Sequence, residues 1–244
     1  MPNWCINSII IEGSTERLKQ FDEQFKKEHT RWSGGTSSVT PETLEERLNE
    51  CIQKGHESHV STGTTGLQLT YIEKEEVITG YSFRNFIDMT KEDFLNGWYD
   101  WAVRNWGTKW DISPDEASVS FSDDTSICYN LSTAWSPCIP VVEEMAKQYP
   151  DLKFRHEYEE CGMEFAGVLE YVDGELSYSA ESENDNFREF LQEHFGAEYY
   201  KCSSCGALLE EYDLDDNDGK CPDCDSDQIY DTDGITLLKI EEEE

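Results

Sequence analysis

Basic side chains are scarce in this sequence: 19 Lys+Arg stand against 53 Asp+Glu over 244 residues, a formal net charge of -34. Lys and Arg are what displace counterions from a phosphate backbone, so direct nucleic-acid binding is not expected. The deficit is uneven. Residues 157–244 carry 28 acids and 4 bases, net -24, which leaves -10 for residues 1–156. Long apolar runs are missing too: none approaches the roughly 20 residues of a spanning helix. The opening MPNWCINSIII has no basic segment ahead of its apolar stretch, so the expectation is a soluble, cytoplasmic protein with no membrane partner. The usual marks of catalysis are absent as well. There is no GxSxG elbow and no HExxH pair, and Gly63-Thr-Thr-Gly66 lacks the Gly-Lys-Ser/Thr of a phosphate loop. The balance leans against an enzyme.

What is present is globular: 37% hydrophobic residues, of which the aromatics (12% of the chain) offset a lean aliphatic share. Four of the seven tryptophans, Trp98, Trp101, Trp106 and Trp110, fall within thirteen residues, and this stretch is expected to be the centre of the core. Lys109 lies between two of them, most simply as a stem covering the aromatic cluster. With Trp135, the set Trp106, Lys109 and Trp110 makes a candidate ligand cleft.

Four of the nine cysteines form a C-x2-C-x15-C-x2-C pattern, Cys202, Cys205, Cys221 and Cys224. Two residues between thiols let one tight turn offer both sulfurs to one ion, and two such knuckles close a tetrahedron around Zn2+. Four thiolates leave no position open for water, so the zinc is expected to be structural, in a ribbon whose strands include Tyr199-Tyr200 and Ile235–Ile240. Asp213–Gly219 is a poor calcium loop, with its glycine one position late. His56-Glu57-Ser58-His59 has no third ligand in view. Cys128, Cys138, Cys161 and His156 suit packing better than nucleophilic chemistry, although a helix dipole at Cys138 would lower its pKa.

Along the chain, residues 6–12 are expected as a strand, followed by a helix capped by Ser14 with Leu18, Phe21 and Phe25 on one face. SGGTSS at 33–38 and STGTTG at 61–66 are expected as mobile loops around a helix with Pro41 first, Leu44, Leu48 and Ile52 on one face, and Gly55 as its stop. A capping box at Thr90–Asp93 opens a helix burying Phe94, Trp98, Trp101 and Ala102 and ending at Gly107. Strands follow at about 117–121 and 126–132. Next come a helix opened by Ser136-Pro137 with Val141, Val142, Met145 and Tyr149 inward, strands at 153–160 and 165–172, a hairpin at Asp173-Gly174, and a helix from about Asn184 to Gly196 with Phe187, Phe190, Leu191 and Phe195 inward.

Five motifs occur together: Met1-Pro2-Asn3-Trp4-Cys5 with Asn7, Asn105 to Asp111, Thr133-Ala134-Trp135-Ser136-Pro137, Tyr149-Pro150, and Phe165-Ala166-Gly167. On these the chain resembles the ferredoxin-like proteins of the YubB type, carried by phages, plasmids and bacterial mobile elements. The resemblance spans about residues 1–172. It implies a ferredoxin-like fold and brings no catalytic residues.

The expected architecture is α+β: a ferredoxin-like sandwich at residues 1–197, an antiparallel sheet with helices on one face and an insertion at about 30–90, followed by an acidic zinc ribbon at 198–244. The expected function is that of a non-enzymatic accessory protein of a mobile element that binds a host protein. Two alternatives stand beside it: an acidic DNA mimic that inhibits a host nuclease or defence enzyme, and a small-ligand binder or enzyme using the tryptophan-lined cleft.

Overall fold

The computed structural model describes residues 3–63, 66–112, 117–183 and 186–230. The chain opens with β1 (Trp4–Glu12) and α1 (Thr15–Phe25). An inserted region follows: β2 (Glu28–Ser38), α2 (Pro41–Lys54), β3 (Glu57–Gly63) and β4 (Gly66–Thr79). A short 3-10 turn (Phe83–Asn85) and α3 (Lys91–Trp106) lead back to β5 (Ser118–Ser122), β6 (Ser126–Ala134), α4 (Ile139–Gln148) and β7 (Lys153–Glu160). The hairpin β8 (Phe165–Val172) and β9 (Glu175–Glu183) comes next. Last are α5 (Phe187–Phe195), β10 (Tyr200–Cys202), β11 (Leu208–Leu209), α6 (Glu211–Asp215) and β12 (Ile229–Tyr230).

The main sheet runs β5-β6-β1-β7-β8-β9. Its first four strands with α1 and α4 form a β-α-β-β-α-β unit in which β1 lies between β6 and β7, antiparallel to both. This split βαβ order is the ferredoxin-like arrangement. Alternation along β1 buries Cys5, Asn7, Ile9 and Ile11. Ile9 sits opposite Tyr129 on one side and His156 on the other.

Over this face α1 lays Leu18, Phe21 and Phe25, its first turn capped by the Ser14 hydroxyl, which accepts the Arg17 N–H. The Phe21 ring lies 5.2–5.9 Å from those of Phe86, Tyr129, Tyr149 and Phe154. Truncating such a residue to alanine costs about 3–5 kcal/mol. The aromatic core is therefore here and not in the tryptophan-rich stretch. α4 buries Val141, Val142 and Met145, with Tyr149 at its C-cap. Its N-cap is Cys138 and Pro140 occupies the first turn, so it starts later than Ser136-Pro137 suggests. Between β8 and β9, Asp173 and Gly174 have φ of 54° and 78°, the pair of positive values that a tight two-residue hairpin requires.

Two expectations fail in the inserted region and one in α3. The described residues of the glycine- and serine-rich segments lie in strands: β2 and β3 pair antiparallel with the central β4, Ser38 opposite Gln68 and Ser61 opposite the same residue. Glycine is required because β4 approaches closely. A Cβ on Gly34 would collide with the Tyr71 carbonyl oxygen at a register shift, and one on Gly35 would strike the Tyr71 ring. α2 packs Leu44, Leu48 and Cys51 against Val39 and Leu69, whereas Ile52 is 69% exposed. α3 is interrupted at Gly97 (φ 130°, ψ 71°), so residues either side do not share one helical face. Its buried residues are Phe94, Leu95, Ala102 and Trp106, while Trp98 and Trp101 are half-buried.

The chain divides into two compact units, Met1–Gly162 with Gly167–Ala180, and Met163–Ala166 with Glu181–Glu244. In the second, β10 pairs with β11 and β12 around a small core of Cys202, Leu209, Leu214, Cys221 and Ile229. α5 buries Phe187, Phe190 and Leu191, with Phe195 half-buried. The strand expected at 235–240, the acidic run 241–244, Met1-Pro2, residues 64–65 and the helix start at 184 lie outside the described residues.

Candidate functional site

Two places gather chemistry, one in each unit. In the second, the Sγ atoms of Cys202, Cys205, Cys221 and Cys224 all lie within 4.8 Å of one another, with Cys202–Cys224 at 3.5 Å and Cys205–Cys221 at 3.6 Å. A tetrahedral ion bound at about 2.3 Å per sulfur places its ligands about 3.8 Å apart, so the donor set fits a thiolate-bound metal. Each knuckle turns tightly, Gly206 N–H to the Cys202 carbonyl at 2.8 Å and Asp225 N–H to that of Cys221 at 2.8 Å. Burial opposes the Cys202 thiolate, yet the N–H groups of Cys205 and Ser204 and the neighbouring thiols outweigh it and hold its pKa at about 6. The four residues are placed to hold a metal ion, and they are the one such group among the described residues. Nearby, Asp213 Oδ2 accepts from Arg188 at 2.7 Å and from the Glu210 N–H at 2.8 Å. His56 stacks on Tyr71, ring centroids 5.3 Å apart, and belongs to no group of three or more metal-ligating side chains among the described residues.

The second place is a cavity of about 350 Å³ in the first unit. Its walls come from β1 (Trp4), β2 (His29, Arg31, Trp32), β4 (Ile78), α3 (Phe94, Trp98, Trp106), the loops carrying Arg84, Met89 and Lys109 to Ile112, and the end of β6 (Ser132 to Ala134). Trp106, Lys109 and Trp110 of the expected cleft are thus brought together. Trp135 is not among the lining residues: it is 46% exposed, with φ 74°, a rare backbone for a bulky side chain, and its N–H donates to the Asn3 carbonyl at 3.0 Å. Trp4 and Trp110, each about two-fifths exposed and 6.4 Å apart, mark the opening. The Lys109 ammonium lies 4.3 Å from the centre of the Trp110 ring.

The cavity wall is held by hydrogen bonds from distant segments. Asp111 accepts from Ser82 Oγ at 2.5 Å and from the Phe83 N–H at 2.7 Å, and burial pushes its carboxyl pKa up. Trp106 donates its indole N–H to the Ile87 carbonyl at 2.9 Å, and Trp98 donates to Thr36 Oγ1 at 3.0 Å. Thr108 Oγ1 donates to the Ala134 carbonyl at 3.0 Å and Ser136 Oγ to that of Gly107 at 2.5 Å, which ties the Asn105–Asp111 motif to the Thr133–Pro137 motif. Sequence reasoning missed Trp4, Trp32, Arg31, Arg84 and Asp111 as wall residues. The one available signal was the rarity of arginine in so acidic a chain.

Cys138 and His156 meet at Asn7: Nδ2 donates to the Cys5 carbonyl (3.0 Å) and to Thr133 Oγ1 (2.9 Å), so Oδ1 is left to accept from His156 Nε2 at 2.9 Å and from the Cys138 thiol at 3.6 Å. Burial lowers the His156 pKa to about 3 and raises that of the Cys138 thiol, reversing the expected dipole effect. Cys128 is buried and Cys161 exposed.

The topology makes the first unit a ferredoxin-like α+β domain. Residues 106–202 match a family model described as a ferredoxin-like domain in Api92-like protein. Among solved structures, the crystal structure of a protein api92 from Yersinia pseudotuberculosis is similar at 11% identity and a TM-score of 0.47, over 75% of this chain and 98% of that one. None of the curated proteins matches the chain. Among the described residues no helix is long and apolar enough to cross a membrane.

Proposed function

We propose that the chain acts by binding, and that the ferredoxin-like domain is a receptor for a small ligand held in the cavity beside Trp106. The observation that carries this reading is the cavity. Its 350 Å³ falls in the range of ligand sites, about 300–1,000 Å³, and its wall combines five tryptophans and Phe94 with convergent polar and charged groups. Among the described residues of that wall no nucleophile is hydrogen-bonded to a base, which favours binding over catalysis. The test is thermal stability in the presence of small aromatic compounds, with Ser132→Phe as the variant that fills the cavity from the β6 side. Saturating ligand at about 100 times Kd stabilises the wild type by about 2.7 kcal/mol, and the variant should lose that gain. Equal responses in both proteins, or none in either, would remove the reading.

The four-cysteine module is proposed to hold structural zinc in a ribbon. A second role rests on its surface: Glu211, Asp215, Asp216, Asp218, Asp223 and Asp227 are all exposed. Such exposed acidity favours docking of a basic partner protein, and the resemblance to mobile-element proteins makes a host protein the candidate. Capture of one defined partner that is released by salt supports this docking role; capture unaffected by loss of the module contradicts it.

A further inference from the structure

Of two buried donor groups on the cavity wall, one has no acceptor and the other has fewer than its N–H groups call for. Trp32 has its indole N–H sealed from solvent with no hydrogen-bond partner, whereas those of Trp98 and Trp106 are satisfied. Arg84 lies beside it, its guanidinium carbon 5.1 Å from the centre of the Trp32 ring and its side chain 5% exposed. That guanidinium donates to the Met89 carbonyl at 2.6 Å and to the Met89 sulfur at 3.6 Å. The carboxylates of Asp88 and Asp111 both stand off at 3.8 Å, too far for a hydrogen bond. A buried guanidinium with five N–H donors is ordinarily matched to carboxylate or phosphate oxygens, and leaving it short of acceptors is costly. Within a protein of net charge -34, the cavity wall also carries Arg31, Arg84 and Lys109 against a single acid, Asp111.

From this pair of donors and the aromatic walls around them we infer that the cavity binds a planar aromatic molecule bearing an oxyanion, whose charged oxygens meet Arg84 and the Trp32 indole N–H while its ring lies among Trp4, Trp106 and Trp110. The inference rests on the receptor reading above and deepens it. The shared chemistry, an aromatic ring with an anionic oxygen group, is found in aromatic carboxylates and in nucleoside monophosphates.

The experiment is calorimetric titration of the full chain with 2-naphthoate, its neutral isostere 2-naphthamide, and adenosine monophosphate. The wild type should bind naphthoate at least about tenfold more tightly than naphthamide, the advantage of a charge-assisted hydrogen bond in a dry site. Trp32→Phe keeps the ring and removes the N–H, and Arg84→Met removes the charge; each should narrow that ratio toward one. Displacement of naphthoate by adenosine monophosphate assigns the phosphate source, and failure to displace assigns the carboxylate source. Equal affinities for naphthoate and naphthamide in the wild type would overturn the oxyanion inference and leave the receptor standing. Binding of none of the three would overturn both.

Discussion

The carboxylate of Asp111 receives the Phe83 backbone N–H at 2.7 Å and so fastens the segment that follows the inserted sheet to the loop that follows α3. The same carboxylate accepts from Ser82 Oγ and from the Ile112 N–H at 2.9 Å, and all three partners are buried. Asp111→Ala leaves three buried donors unpaired and removes one of the two counter-charges that flank Arg84. The expected loss is about 3 kcal/mol in chemical denaturation, with Asp111→Asn losing less because one acceptor survives. An unchanged midpoint in the alanine variant would show that the fastening contributes nothing.

Metal removal should act on one unit. Two of the five core residues of the four-cysteine module are themselves candidate ligands, Cys202 and Cys221, so a metal held there would couple its binding to the folding of the module. Chelation or Cys202→Ser should abolish hydrogen-exchange protection in β10 to β12 while the amides of β1 and β6 keep theirs. Retention of bound metal and of protection in Cys202→Ser would contradict the assignment.

Stability should fall on the acid side through His156. Its folded pKa of about 3 lies below the ordinary value of 6.5, so across that interval the unfolded chain binds the extra proton. The contribution is full above pH 6.5 and is lost as pH drops toward 3, at up to about 1.4 kcal/mol per pH unit. His156→Gln keeps a donor for Asn7 and does not titrate. Subtracting its pH profile from that of the wild type should expose this slope between pH 6.5 and 4; parallel profiles would contradict it.

Glycines in the inserted region separate two kinds of cost. Gly34→Ala forces a methyl against the Tyr71 carbonyl, and about 2 kcal/mol or more is expected from overpacking a backbone that cannot yield. Gly55→Ala meets open space but must hold φ at 72°, which costs about 1 kcal/mol. Urea midpoints of the two variants measure the difference.

The contrast between these glycines also explains what the sequence makes legible. β1, α1, β6, α4 and β7 carry clean periodicity, since each has one face on the Phe21 core, and the hairpin at Asp173-Gly174 announces its own backbone. β2 and β3 do not: they are polar, and Gly34 and Gly35 of β2 reflect the close approach of Tyr71 rather than mobility. In α3 the break at Gly97 spoils the helical spacing that would have buried Trp98 and Trp101. The four cysteines are visible because their spacing is local. The cavity is not, because Trp4, Trp32, Arg84 and Asp111 come from four separate segments and an unpaired indole N–H leaves no trace in sequence.

The seven indole N–H groups offer the most direct test of where the protein binds. In a ¹⁵N-correlated spectrum titrated with 2-naphthoate, the signals of Trp4, Trp32, Trp98, Trp106 and Trp110, which line the cavity, should shift together with Trp32 moving most, while those of Trp101 and Trp135 stay in place. Uniform small shifts, or a response confined to Trp135, would place binding outside the cavity and contradict the account.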